Sequence, residues 1–453
     1  MKGDFTRLTF RADRHYSGVW LQQGRVQLDA DANEQAAIQL ALTRRTAADL
    51  IGPHGGPGDA FTVKYIPRTE KKDPADLEIL NGRYYVDGVL VDSARPVPSE
   101  PVGGQAPAAP GSWTYWDQPF AYLDREREAD ALPEKFPFLV YLVAWEQLVT
   151  ALEDPSIAES ALGSALPDTA ARTRTAWQVR ALTLGSNAGN DPSAAFAEWV
   201  RGRRAGIARL AARTERPERV EDDPCILSPD AAYRGPENQL YRVEVHHGGE
   251  AGEATVKWSR DNGSVAVGIS SVDGEWVTVA SLGRDDKLSL RIGDWTEVSD
   301  DAYAARGEVA PLLRVEEVDT ANRRVRLSGE PRADVGHRTN RHPLLRRWDH
   351  RAVAGRGAPK LKDGAIGVEE GEWLDLEDGV QVWFKPGGRY RSGDHWLIPA
   401  RTLAADVEWP QDDTGRPLLA EPHGVEQYYA PLAWVRSGTD VQLLRRTFRP
   451  LAG

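Results

Sequence analysis

The sequence predicts a mainly β protein: several small antiparallel sandwich or barrel units, an N-terminal capped helix and one further surface helix. Three observations lead there. From about Asn238 onward, nearly all apolar positions fall in short alternating runs, the pattern of half-buried strands. Glycine-containing breaks such as "GGEAG", "DNG" and "DG" separate these runs at hairpin spacing. Helical apolar spacing occurs in only two stretches, one near the N-terminus and one near residue 200.

The first segment, "MKGDFTRLTFRADRHYSGVW", breaks its apolar positions with charges and cannot form a core of its own. It reads as a docking arm, with Phe5, Arg7, Phe10, His15, Tyr16 and Trp20 as candidate assembly contacts. Asp29, Asp31 and Asn33 then follow in the D-x-D-x-N spacing that opens a calcium loop. That loop needs Gly at its sixth position and a bidentate Glu at its twelfth, where this chain has Glu34 and Leu40. A capped helix accounts for the acids better. It is expected from about Asp31 to Ile51, with Asp31 as N-cap, Glu34 completing a capping box, negative charge at the positive end of the helix dipole, and Gly52-Pro53 as the stop. Ile38 and Leu42 are its candidate packing residues.

"LEILNGRYYVDGVLVDS" reads as a meander with a hairpin at Asn81-Gly82 and a second break at Asp87-Gly88. These elements make an N-terminal unit, 1–95. Residues 96–111, rich in Pro, Gly and Ala, read as a linker. A mixed unit, 112–235, holds the strands "FPFLVYLVAWEQLVTAL" and "RTRTAWQVRALTL", and a helix on which Phe196, Val200, Ile207 and Leu210 share a face. Residues 236–335 are expected to form a barrel or sandwich, with Asp261-Asn262-Gly263 at a hairpin tip, and 336–453 a C-terminal β unit.

The 453 residues suffice for roughly three domains. A net charge of −12 argues against a nucleic-acid groove, since phosphate binding depends on Lys and Arg. No run approaches the roughly 18 apolar residues of a membrane helix, so no membrane insertion is expected. The N-terminus lacks the continuous apolar stretch of a signal peptide, which points to synthesis in the cytoplasm. The single cysteine, Cys225, excludes an intrachain disulfide and a multi-thiolate zinc site, and is expected to be a small packed side chain.

His337, His342 and His350 share one segment, but their spacings match no established metal pair and the surrounding arginines would repel a cation. His246 and His247 are adjacent on a predicted strand and point to opposite faces. No nucleophile elbow, Walker loop, H-E-x-x-H or dinucleotide fingerprint is present. The chain reads as a non-enzyme without metal or cofactor.

Several phrases together, "MKGDFTRLTF", "QQGRVQLDADANEQ", "WEQLVTALEDPSI", "ARTRTAWQVR", "YRGPENQLYRVEV", "ATVKWSRDNGSV" and "RSGDHWLIPARTL", resemble an uncharacterised bacterial family associated with phage-tail-like particles and extracellular contractile injection systems. The resemblance implies a structural or adaptor subunit of such a particle, with other baseplate, sheath, tube or fibre subunits as partners and a symmetric multi-copy arrangement. The sequence ends at "RTFRPLAG" without a downstream extension, which favours a compact adaptor over a free-standing fibre. The alternative expectation is a carbohydrate-binding or glycan-processing module, with Trp383, Trp396 and Tyr390 as a stacking platform.

Overall fold

The computed structural model describes residues 1–68, 74–96, 111–163, 167–185, 191–204, 208–215, 232–283, 285–351 and 360–449. The protein is mainly β, built from several small antiparallel sheets and few helices. Three units are nested within one another. The outer unit contains a four-stranded sheet in the order Val441–Leu443, Gln427–Val435, Phe138–Val149, Arg172–Leu182. A second four-stranded sheet joins Thr447–Phe448, His54–Pro57, Arg83–Val86 and Val89–Asp92. A three-stranded sheet of Val63–Ile66, Asp76–Leu80 and Ser112–Thr114 completes it. One core, including Phe61, Ile79, Tyr84, Phe138, Trp177 and Leu432, lies among the three.

Between Arg172–Leu182 and Gln427–Val435 the chain builds the middle unit. Its central sheet runs Leu361–Lys362, Ala365–Gly367, Thr255–Ser259, Gln239–Val245, His395–Arg401, Asp406–Val407. It shares a core with the three-stranded sheet of Trp373–Asp375, Val380–Phe384 and Leu210–Thr214. Between Thr255–Ser259 and Leu361–Lys362 the chain makes the innermost unit. This is a closed six-stranded barrel, ordered Ala266–Asp273, Trp276–Val279, Arg324–Leu327, Leu312–Asp319, Trp295–Ser299, Leu344–Trp348. Barrel strands alternate inward Val277, Val279, Val325 and Leu327 with outward residues, the period-two pattern visible in the sequence. Phe138–Val149 is apolar almost throughout because it is covered on both faces, by the outer core and by helix α2, Pro192–Arg204, which contributes Phe196.

This nesting departs from the sequential division at 95, 111, 235 and 335. A boundary at 335 would sever Leu344–Trp348, the strand that closes the barrel. The stretch 336–453 is no unit, since its strands return to the barrel, the central sheet and the outer sheets in turn. The linker reading at 96–111 falls almost wholly outside the described residues, as do Cys225 and Ile207. Leu210 begins a strand and does not continue the surface helix, which ends at Arg204.

Both Asn-Gly pairs mark crossings between sheets and not hairpins. Asp76–Leu80 and Arg83–Val86 belong to different sheets, and Asn81-Gly82 is the corner between them. Gly82 sits at φ 143°, and a Cβ there would lie 2.6 Å from that of Ala60. The tight hairpin is instead at Asp87-Gly88, where φ values of 46° and 80° give the two positive angles a two-residue turn needs. Asp261-Asn262-Gly263 likewise carries the chain from the central sheet into the barrel.

Helix α1 spans Asp29–Ile51 and ends at Gly52. Positions 30, 31, 34, 35, 37, 38, 41, 44, 47, 48 and 51 are buried or half-buried, a broad face at three-to-four spacing along which Arg44 and Ile51 meet the outer unit. The Asp87-Gly88 turn meets that face so closely that a Cβ on Gly88 would lie 2.0 Å from the Arg44 carbonyl oxygen. We therefore expect Gly88→Ala to destabilise the protein by about 3 kcal/mol, combining positive-φ strain with displacement of α1. Gly24→Ala, at φ 71° with no atom within 4 Å of the added Cβ, should cost only about 1 kcal/mol. Urea unfolding of the two variants measures the difference, and equal losses would refute the close-contact account.

Candidate functional site

The local chemistry of the chain converges on the crossing from central sheet to barrel. Each residue of that corner holds a different part of the molecule. Arg260 reaches Glu377 at 2.7 Å on the Trp373–Phe384 hairpin. Asp261 faces Lys287 of the barrel at 3.5 Å. Asn262, left-handed at φ 50° and 1% exposed, donates from Nδ2 to the Gly3 carbonyl at 2.9 Å and accepts from Arg242 at 3.2 Å.

Behind this corner lies a buried charge cluster. Arg242 and Glu244 alternate on one strand and so share a face, where the guanidinium grips Glu244 Oε2 at 2.6 Å. Lys257 stands directly opposite Glu244 in the strand register, 3.5 Å from Oε1, and pairs at 2.8 Å with Glu297 of the barrel. Lys2, from the arm, adds a third cation 3.0 Å from Glu244 Oε1. Trp348 closes the cluster: its Nε1 donates to Glu297 at 3.0 Å, while the Lys257 ammonium lies 4.3 Å and that of Lys2 5.2 Å from its ring centroid.

Burial alone would push the Glu244 carboxyl up, but Lys2, Arg242 and Lys257 together hold it well below the ordinary value. Glu297, buried beside Lys257 and Lys2, is lowered to about 2. Burial lowers Lys2 to about 8 against the pull of the two glutamates. The set is a charge-paired lock.

The arm is therefore divided. Met1, Lys2 and Gly3 touch all three units: the Met1 carbonyl accepts from Arg242, and a Cβ on Gly3 would lie 2.9 Å from Leu148 of the outer sheet. Arg7 pairs with Glu408 at 2.7 Å, and Arg401 donates to the Thr6 carbonyl at 2.9 Å. The half-buried Phe5 lies against Gly3. Phe5 and Arg7 thus serve the chain's own fold.

The helix acids face this arm. Asp29 accepts from the Thr6 amide at 3.0 Å and its hydroxyl at 2.5 Å, and Glu34 from the Thr9 hydroxyl at 2.6 Å. This corrects the capping-box reading, because α1 starts at Asp29, its N-cap is Leu28, and no side chain caps it. The chain then leaves the helix, turns at Ala12–Arg14, and returns where Gln35 accepts from the Val19 amide at 2.6 Å.

Phe10, His15, Tyr16 and Trp20 are exposed, Trp20 by 90%. Of the two helix residues proposed to pack, Ile38 is 1% exposed, whereas Leu42, at 41%, lies off the packed face. Of the fifteen tryptophans Trp20 alone is exposed. Trp396 and Tyr390 are core residues, leaving Trp383 half-accessible without the platform a sugar would stack on. His342 bonds Asp301 at 2.7 Å and His350 bonds the Gly364 carbonyl at 2.6 Å, so the histidine segment serves separate local contacts. Among the described residues no three His, Cys, Asp or Glu side chains converge as a metal set, and no helix is long and apolar enough to cross a membrane.

No motif or spacing in the sequence marks Lys2, Glu244, Lys257 or Glu297. The available signal was charge at inward positions of strands, Arg242 and Glu244 in "YRVEV" and Lys257 in "TVKWS", but inward and outward faces cannot be distinguished when both are covered.

Fold and site together define a β-rich protein of three nested units, locked by buried charge and presenting an exposed aromatic loop. The model of a family of unknown function, DUF6519, matches residues 1–196 and 183–433, and the protein belongs to that family. The two matched stretches overlap over residues 183–196, between the outer strand Arg172–Leu182 and the first strand of the middle unit, Leu210–Thr214. Neither a curated protein nor a solved structure matches the chain.

Two outcomes follow from the buried charges. Glu244→Gln leaves three cations facing one carboxylate and should cost about 3–5 kcal/mol, whereas Glu316→Gln, which breaks an exposed pair with Arg314, should cost less than about 1 kcal/mol. Denaturant midpoints report both, and a small loss for Glu244→Gln would contradict the lock.

The second concerns acid. Burial lowers His54 and His350 to about 4, His246 to about 3 and His395 to about 2, from 6.5. The unfolded chain takes up protons below pH 6.5 where the native state does not, so this stability is present above pH 6.5 and is lost as pH falls. Each site should remove about 2 kcal/mol by about pH 5. Thermal midpoints across that interval should drop steeply, and a flat profile would be inconsistent with neutral buried imidazoles.

Proposed function

We propose that the protein is a structural or adaptor subunit of a contractile, tail-like particle, acting by protein–protein assembly without catalysis. One observation carries the assembly reading: among the described residues, eleven of the 21 exposed large hydrophobic side chains fall within the first fifty residues, and of the other ten four lie between Leu403 and Val425. Apolar surface concentrated in this way is characteristic of an interaction site. Its composition, with Phe10, Tyr16 and Trp20 among arginines, is that of interface centres, where large aromatics fill partner pockets. The loop from Phe10 to Leu28 is also tied at both ends, through Thr9–Glu34 and Asp29–Thr6, so less freedom is lost when a partner binds. The particle assignment is supported by the family resemblance.

The test replaces Phe10, Tyr16 and Trp20 together with Ser. The variant should keep the wild-type thermal midpoint yet fail to co-sediment with particles purified from cells that carry it in place of the native chain. Wild-type levels of the variant in particles would overturn the docking role, and particles lacking the wild-type chain would overturn the particle assignment. Deleting the whole arm is a poorer test, since it removes Lys2 from Glu244 and unsettles the fold.

A further inference from the structure

The exposed loop is charged as well as apolar. Residues 8–28 carry Arg11, Arg14 and Arg25 against Asp13, a net of +2 on a chain of −12, so the rest of the chain carries −14. Arg11 pairs with Asp13 at 2.7 Å and Arg14 acts on the same carboxylate only through its charge, whereas Arg25 shows no hydrogen bond or ion pair among the described residues. An aromatic loop with a net charge of +2, two of whose guanidiniums make no hydrogen bond among the described residues, calls for an acidic surface with apolar side chains beside it.

The chain itself offers one. Residues 402–426 contain six carboxylates against Arg416 alone, a net of −5. Leu403, Leu418, Leu419 and Val425 are exposed there, at 101%, 46%, 38% and 49%, four of the ten exposed large apolar side chains among the described residues outside the first fifty. Glu408 and Glu421 of this segment are held by Arg7 and Arg209, but Asp413 has no partner among the described residues, Asp412 only caps its own turn, and Glu426 accepts only from the Tyr428 hydroxyl.

The two segments are linked at one point next to the loop. Arg7 at the base of the arm pairs with Glu408 at 2.7 Å. Two patches of opposite charge, each with its own apolar side chains, meet the requirement of a two-fold interface, in which patch one of each copy covers patch two of the other.

We infer that the loop of residues 8–28 docks on the 402–426 surface of a second copy of this chain, reciprocally. The inference rests on the assembly reading and specifies its first contact. Trp20 and Tyr16 pack against Leu418 and Leu419 of the second copy, while Arg14 and Arg25 face Asp412 and Asp413. Loops carrying like charge are thereby kept apart.

Sedimentation velocity of the full chain at micromolar concentration tests this. The wild type should form dimers at low ionic strength that dissociate as salt screens the contact. The double variants Arg14→Glu/Arg25→Glu and Asp412→Arg/Asp413→Arg should each be monomeric, and mixing them should restore the dimer, because each loop then meets a surface of opposite sign. A wild type that stays monomeric at every salt concentration overturns the inference. So does a dimer indifferent to the swaps, a mixture that does not recover, or binding to anionic vesicles without self-association. If the wild type is still found in particles in those cases, the assembly reading stands and the loop docks on a different subunit. If the dimer forms but the chain is absent from particles, the particle assignment alone fails.

Discussion

Glu244 must be charged and must be buried, and the arrangement of the molecule follows from meeting both demands. A carboxylate removed from water is costly unless opposite charges surround it, and here those charges come from three separate sources: Arg242 on its own strand, Lys257 across the central sheet, and Lys2 from the arm. Lys257 is in turn committed to Glu297, which belongs to the barrel. The barrel therefore cannot turn against the sheet, nor the arm withdraw, without stranding a charge. Apolar residues of similar volume could bury the same surface at less cost, so the gain from this arrangement lies in orientation more than in stability. Trp348 reinforces that orientation, because its indole must present its face to two ammonium groups and its N–H to Glu297 at once.

Nesting makes such a lock necessary. A unit inserted into another is joined by two crossings, and hydrophobic burial, being non-directional, does not fix its rotation about them. The first crossing from sheet to barrel is Arg260 to Gly263, four residues that contact the Trp373–Phe384 hairpin, the barrel and the arm. Gly263, at φ 65°, lets the chain turn there while its carbonyl accepts from Arg346. The corner is a structural joint even though its sequence is that of a turn.

That ambiguity explains what the sequence disclosed and what it withheld. Strand positions were legible wherever one face was wet, as in Trp276–Val279 and Arg324–Leu327, because alternation reports a half-buried strand directly. Partners were not legible. Asn-Gly permits positive φ but does not say whether the next strand folds back or departs to another sheet, and at both Asn81-Gly82 and Asn262-Gly263 it departs. The barrel's closing strand Leu344–Trp348 and the returning strand Gln427–Val435 lie far along the chain from their partners, beyond any local pattern. Helix α1 was legible in extent but not in chemistry: Asp29 and Glu34 have the spacing of capping residues, and only the position of the arm shows that they hold Thr6 and Thr9. Within the arm, a list of aromatic and basic residues cannot separate Phe5 and Arg7, used by the fold, from Phe10, Tyr16 and Trp20, left outside it.

The division of the arm links folding to presentation. Its first nine residues are held by groups that only the completed structure brings together: Glu244 from the central sheet, Trp348 from the barrel, Leu148 from the outer unit, and Asp29 and Glu34 from the helix. The exposed loop begins immediately beyond them. A chain whose barrel had not closed would lack Trp348 and Glu297, and Lys2 would lose part of the environment that retains it. The loop would then hang from a free arm and keep the conformational entropy that the tethered loop has already lost. Anchoring the first residues of the arm through the most nested element thus makes the presentation of the exposed loop a consequence of complete folding.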